Sequence, residues 1–123
     1  DVTFEYLKDT YIFNTDFRNI LNKIEFRNDI DKTFIYCDPP YINTDNNYSE
    51  SFTEEDSAVL FQMLVDSKIR FAISELNQPF ILEQAKKYNL KVMTISERTN
   101  LKNKRIEILI CNYIIQPSLF DEI

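Results

Sequence analysis

Four strand-favouring residues, Phe34-Ile35-Tyr36-Cys37, run directly into Asp38-Pro39-Pro40-Tyr41. A short apolar run closed by chain breakers predicts a buried strand that ends abruptly. Neither proline has an N–H, so neither can continue a sheet ladder. The two rings also fix φ twice in succession and restrict the residue before each of them. The expected result is a stiff loop at the carboxyl end of a strand, where open α/β sheets bind their ligands. It would hold one carboxylate and one phenol ring in a geometry that flexible backbone could not keep.

Composition narrows what such a loop can serve. A chain of 123 residues is one domain or part of one, and 44% hydrophobic residues with 10 Phe and 7 Tyr suffice for a core. The sequence contains no Gly, which excludes the G-x-G-x-x-G and P-loop cradles from these residues. It contains no His, so a His-based metal site or a Ser-His-Asp triad is excluded, and Cys37 and Cys111 alone cannot make a zinc finger. Both cysteines sit in apolar strand-like runs, which predicts buried reduced thiols of a cytoplasmic protein. No apolar run approaches the ~20 residues needed to span a bilayer, and no signal peptide is visible. The expected partners therefore include no membrane. The first residue is Asp rather than Met, from which a piece of a longer polypeptide is expected.

The periodicity predicts alternating elements. A weak helical signal covers residues 1–8, and Tyr11-Ile12-Phe13 reads as a short strand. Asn14-Thr15-Asp16 breaks it and caps a helix over 17–25, with Phe17, Ile20, Leu21 and Ile24 at helical spacing. A strand follows from Thr33 to Cys37. Residues 42–52 are polar and aperiodic, either a lid or substrate loop or a plain surface loop. Thr53-Glu54-Glu55-Asp56 resembles a capping box, opening a helix to about Ser67 with Val59, Leu60, Met63 and Leu64 inward. A third strand is expected over Lys68–Glu75. Next come a helix from Pro79 to about Tyr88, burying Phe80, Ile81, Leu82 and Ala85, and a strand over Leu90–Ser96. A polar basic loop over 97–105 leads into a last strand, Arg105–Ile115. The alternation predicts an α/β fold with a mainly parallel sheet. The last two strands, joined by a short loop, must be antiparallel.

Asp-Pro-Pro-Tyr after an apolar strand resembles the catalytic motif of the amino-group DNA methyltransferases, the adenine-N6 class in particular. Asp rather than Ser at its first position disfavours the cytosine-N4 branch. The resemblance implies methyl transfer from S-adenosylmethionine to a flipped-out adenine in double-stranded DNA. It also implies a partial Rossmann-like sheet, mostly parallel with a terminal antiparallel strand pair. The Asp38 carboxylate and the Pro39 carbonyl would accept the two amino hydrogens of the base, and Asp38 would offset the positive charge that the nitrogen gains. Pro40 stiffens the corner, and Tyr41 would stack on the extruded base. Direct deprotonation of the amino group by a carboxylate is not credible. No metal is needed, because a sulfonium is already an activated leaving group.

The resemblance covers most of residues 10–115. Ile12–Phe17 is similar to the family segment whose acid contacts the cofactor adenine, which would make Asp16, with Phe17 beside it, cofactor-binding together with Asp38; Asp16 reads equally as a helix cap. Ser51-Phe52-Thr53 and the segments 100–105 and 107–113 are similar to the helix entry and closing hairpin of the family. On this reading residues 1–115 are the carboxyl-terminal part of the catalytic domain, and 116–123 a tail. The family's glycine-rich cofactor segment and its target-recognition region are not among these residues. The isolated chain is therefore expected to be inactive, and to associate with itself through an uncovered sheet edge and apolar face.

Net charge is −6, unfavourable for nucleic acid, yet residues 1–60 carry 13 acids and 5 bases against 7 acids and 9 bases in 61–123. Arg98, Lys102, Lys104 and Arg105 lie within eight residues free of acids, either a phosphate-contacting loop or a solvated one. Gln116-Pro117-Ser118-Leu119-Phe120 resembles the short peptides that dock on the bacterial replication sliding clamp; it reads equally as a tail packing on its own domain. Two other functional readings stand beside the enzyme: an interaction module that keeps the fold without its chemistry, and an unrelated α/β domain with a chance Pro-Pro turn.

Overall fold

A computed structural model of the chain describes residues 2–24, 29–42, 52–99 and 104–114. In chain order the elements are α1 (Val2–Leu7), α2 (Phe17–Ile24), β1 (Phe34–Cys37), α3 (Glu54–Asp66), β2 (Arg70–Leu76), α4 (Pro79–Lys87), β3 (Lys91–Thr99) and β4 (Lys104–Cys111). A 3-10 turn, Ile30–Lys32, leads into β1.

The helices begin where local chemistry dictates. The Thr53 hydroxyl accepts the Asp56 N–H at 3.1 Å, and the Asp56 carboxylate accepts the Thr53 N–H at 3.0 Å, so the expected capping box forms with Asp in the fourth place. Pro79 opens α4, where its missing N–H costs no hydrogen bond. The helices end without glycine. Lys68 and Asn89, each the second residue past its helix, take the left-handed conformation with φ of 63° and 55°. At α4 the Asn89 and Leu90 N–H groups close onto Lys86 and Ala85. At α3 the Ser67 hydroxyl relays instead, donating to the Leu64 carbonyl at 2.6 Å and accepting the Ile69 N–H at 3.1 Å.

The four strands form one mixed sheet in the order β1-β2-β4-β3. β1 and β2 are parallel, with Cys37 opposite Ile73; β4 runs antiparallel to β2 on one side and to β3 on the other. The expected antiparallel pairing of the last two strands is present. The expectation of a mostly parallel sheet is corrected: β1, β2 and β3 point the same way, but β4 enters between β2 and β3, leaving one parallel pair. The Asn112 side chain prolongs the β2–β4 ladder, accepting the Phe71 N–H at 2.8 Å and donating to the Ile69 carbonyl at 2.9 Å.

The core lies on one face of the sheet. Phe71, Ile73, Ile108 and Ile110 pack there against Leu60, Phe61 and Leu64 of α3, Ile81 and Ala85 of α4, and Leu21 of α2. The opposite face is open at Phe34, Tyr36 and Met93, which are 53%, 59% and 41% exposed.

Several local expectations are corrected. Tyr11–Phe13 forms no strand and is exposed, because strand propensity without a neighbouring strand satisfies no backbone groups. Leu82 is exposed while Ile81 is buried, so α4 turns a narrower face inward than expected. Phe61, not singled out by the helical pattern, is wholly buried, whereas Val59 and Met63 are half-buried. The basic stretch 97–105 is not a loop throughout: β3 runs on to Thr99 and β4 starts at Lys104. Strand β4 ends at Cys111, four residues before the expected limit.

Candidate functional site

The site is built from the ends of the two parallel strands. β1 stops at Cys37, and Asp38 follows at once with its side chain exposed beyond the strand tip. The corner is fixed at both ends. Before it, Cys37 is paired in the sheet; after it, Ile42 is buried in the core and its carbonyl accepts the Gln78 side-chain amide at 3.0 Å. Between these anchors Pro39 and Tyr41 are half-buried and Pro40 is exposed. Asp38 is thus an exposed residue on a corner anchored at both ends.

A second carboxyl, missed by the sequence reading, lies beside it. Glu75 continues the core-facing row Phe71–Ile73 of β2 and sits opposite Ile108 of β4. Only 1% of it is exposed, and its Oε1 has no hydrogen-bond partner. The β1–β2 register ends at the Cys37–Ile73 pair; Asp38 is the next residue after Cys37, and Glu75 is the second after Ile73. Burial pushes the Glu75 carboxyl up to about 8; the Leu76 backbone N–H opposes this and the Asp38 charge adds to it. A Glu following Ile73-Ser74 reads in sequence as the polar end of a strand, so only the β4 pairing reveals that it is inside. Cys37 lies on the same row of β1, and burial pushes its thiol up to about 11, away from thiolate chemistry.

Asp16 is the cap of α2. Its Oδ1 accepts the Arg18 backbone N–H at 2.9 Å, and both its oxygens accept the Arg18 guanidinium, at 3.1 and 3.2 Å. The Arg18 backbone N–H and guanidinium hold the Asp16 carboxyl below the usual carboxylate range. Arg18 in turn donates to Asp56 at 2.7 Å and lies over the Phe17 ring at 4.5 Å. Phe17 packs on Phe52, with ring centroids 5.9 Å apart. The described contacts of Asp16 and Phe17 therefore join α2 to the start of α3. Next to them Phe13, Asn14, Thr15, Asn19, Asn22 and Lys23 line an open depression of about 420 Å³.

The basic cluster is gathered by the β3–β4 hairpin. Arg98 stands directly opposite Arg105, and Thr99 opposite Lys104. Because β4 is antiparallel to β2, its first residues lie beyond the carboxyl end of β2, at the sheet edge that also carries Asp38. Two strand spacings, roughly 10 Å, separate β1 from β4 across the sheet. Arg105 is exposed. Lys102, the Gln116–Phe120 segment and most of the polar loop after Tyr41 lie outside the described residues. Among the described residues no group of acids and cysteines could hold a metal, and no helix is long and apolar enough to cross a membrane. The chain matches no protein-family model and no curated protein.

Proposed function

We propose that this chain carries the base-binding half of a DNA adenine-N6 methyltransferase site. One observation carries the reading: an exposed Asp38 on a proline corner clamped by Cys37 and Ile42 at the carboxyl end of a parallel strand. A carboxylate and the neighbouring Pro39 carbonyl are two acceptors on one rigid turn, suited to the two hydrogens of a base amino group. Binding both draws the nitrogen towards sp³ geometry and frees its lone pair. The Asp38 charge then offsets the positive charge that develops on the nitrogen. The order β1-β2-β4-β3, with β4 the one strand that runs against the other three, supports the same reading, since the family sheet also carries one antiparallel strand near its end.

The residues present do not fit the methyl donor. S-adenosylmethionine would supply the methyl group, but the 123 residues hold no glycine for its cradle, and Asp16 is engaged by Arg18. Only the base side of the site is therefore assigned to this chain. The same observation favours a second reading, an interaction module that keeps the fold without catalysis.

The two are separated by measuring labelled methyl transfer from S-adenosylmethionine to double-stranded DNA by the full-length protein, with the product analysed for N6-methyladenine. Asp38→Ala should lower transfer by roughly 10²-fold or more while leaving thermal stability within about 0.5 kcal/mol, since the side chain is exposed. Absence of N6-methyladenine, or full transfer by the variant, rejects the enzymatic reading.

A further inference from the structure

We propose that Glu75 is a positioning residue of the Asp38 site: a carboxylic acid that is neutral while Asp38 acts as the single negative acceptor, and whose ionisation in alkaline solution disables the corner. The methyltransferase reading supplies the reaction on which this bears; the coupling between the two carboxyls stands without it.

The geometry argues for a neutral Glu75. A buried carboxylate is tolerated only when paired or fully hydrogen-bonded. Glu75 is 1% exposed with Oε1 unpartnered, and no described element brings a cation to it. From β1 the neighbouring charge is Asp38, of the same sign. On β2 itself Arg70 lies at the far end, donating to the Asp31 carbonyl. On β4 the facing residue is Ile108, and the adjacent Glu107, bonded to Ser96, points to the opposite face. Thr94 of β3 lies next in the row. The buried residues of α3 and α4, namely Ser57, Leu60, Phe61, Leu64, Ile81 and Ala85, are uncharged.

A neutral acid at this position leaves Asp38 without a competing anion. Ionisation changes this. The new charge repels Asp38 and must draw in water or swing out to solvent, moving the end of β2, which is paired with β1 up to Cys37, the residue before Asp38. An added negative charge would by itself favour a cationic transition state, but it arrives only with that displacement. Displacements on the order of 1 Å in a site can cost about 10² in rate.

The test has two arms, both on the full-length protein. In the first, side-chain carbon NMR follows the glutamate carboxyls through a pH titration, with Glu75→Gln assigning the Glu75 signal. A midpoint near 8 is expected, moving lower in Asp38→Asn. A midpoint in the ordinary glutamate range near 4.5, or one that Asp38→Asn leaves in place, overturns the proposal. In the second, DNA methylation is measured at pH 7 and pH 9.5, and the ratio of the two rates is taken within each protein. The native ratio should fall at least about tenfold below that of Glu75→Gln, which cannot ionise. Equal ratios overturn the positioning role. Absence of methylation at every pH rejects the methyltransferase reading, and the first arm then decides the carboxyl coupling by itself.

Discussion

Arg18 in the first turn of α2 and Asp56 in the first turn of α3 meet at 2.7 Å across 38 residues of sequence. The contact links two helix starts that share no backbone hydrogen bonds, and through Asp56 it reaches the Thr53 cap. The Thr53 backbone N–H first, and the Arg18 guanidinium second, hold the Asp56 carboxyl below its usual value of 3.8. A carboxyl depressed on folding adds stability above its unfolded value and loses it as pH falls through the folded one. Arg18→Met should therefore lower the melting temperature at pH 7, by an amount that shrinks at 1 M salt and again as pH drops below 3.8. Melts of native and variant protein at three pH values, with and without salt, check this; a difference independent of both would show that Arg18 acts only by packing on Phe17.

Thr53 satisfies the start of α3 by itself. Its hydroxyl accepts the Asp56 N–H, and the reciprocal bond from the Thr53 N–H closes the box. Thr53→Ala removes the first and should cost about 1 kcal/mol, whereas Thr53→Ser should retain most of the stability. Denaturant titration of the three proteins at one pH reads the order directly.

What the sequence made legible, and what it did not, follows the range of the interactions. The Thr53 box and the Pro79 start rest on contacts within four residues, and each lies where the residues demanded; the Phe34–Cys37 strand ends at its prolines as expected, but it alternates exposed and half-buried residues where a buried strand was expected, because only its core-facing side is packed. The entry of β4 between β2 and β3 was not legible, because strand order is set by pairing between residues such as Glu75 and Ile108, 33 positions apart. The pairing of β3 with β4 drew the polar residues Glu97–Thr99 into β3. Tyr11–Phe13 failed in the opposite sense: it has the composition of a strand and, among the described residues, no neighbour that pairs with it. At the site, Asp38 was marked by the two prolines after it. Glu75 had no local signal, since a glutamate inside a sheet is recognised only from what surrounds it.

The lack of glycine leaves an identifiable strain at Lys68. With φ of 63° it occupies a conformation that costs an ordinary residue roughly 1–2 kcal/mol and glycine almost nothing. Lys68 is exposed, so replacing it removes no buried contact. Lys68→Gly should raise stability by about 0.5–1 kcal/mol once the greater freedom of glycine in the unfolded chain is subtracted. Asn89→Gly should gain less, because asparagine tolerates φ of 55° better than lysine tolerates 63°. Lys68→Ala, which keeps the Cβ, should gain nothing, and that control separates backbone strain from the loss of a charged side chain.

Glu75 makes the stability of the fold depend on pH in a direction opposite to most carboxyls. Its proton is held more tightly in the folded chain, with a value near 8 against 4.5 for an ordinary glutamate. Below 4.5 both states are protonated and nothing is lost. Between 4.5 and 8 the unfolded chain releases the proton while the folded one keeps it, so stability falls as pH rises. The slope is about 1.4 kcal/mol per pH unit, a total of roughly 4–5 kcal/mol as an upper bound, beyond which both states are ionised and the loss levels off. Glu75→Gln cannot ionise and should escape this loss. Urea titrations at pH 4.5, 6, 7.5 and 9 should show the variant gaining on the native protein through the first three and holding its lead at the fourth. A difference that stays flat from pH 4.5 to 9 would mean that the folded chain holds Glu75 no more tightly than water does.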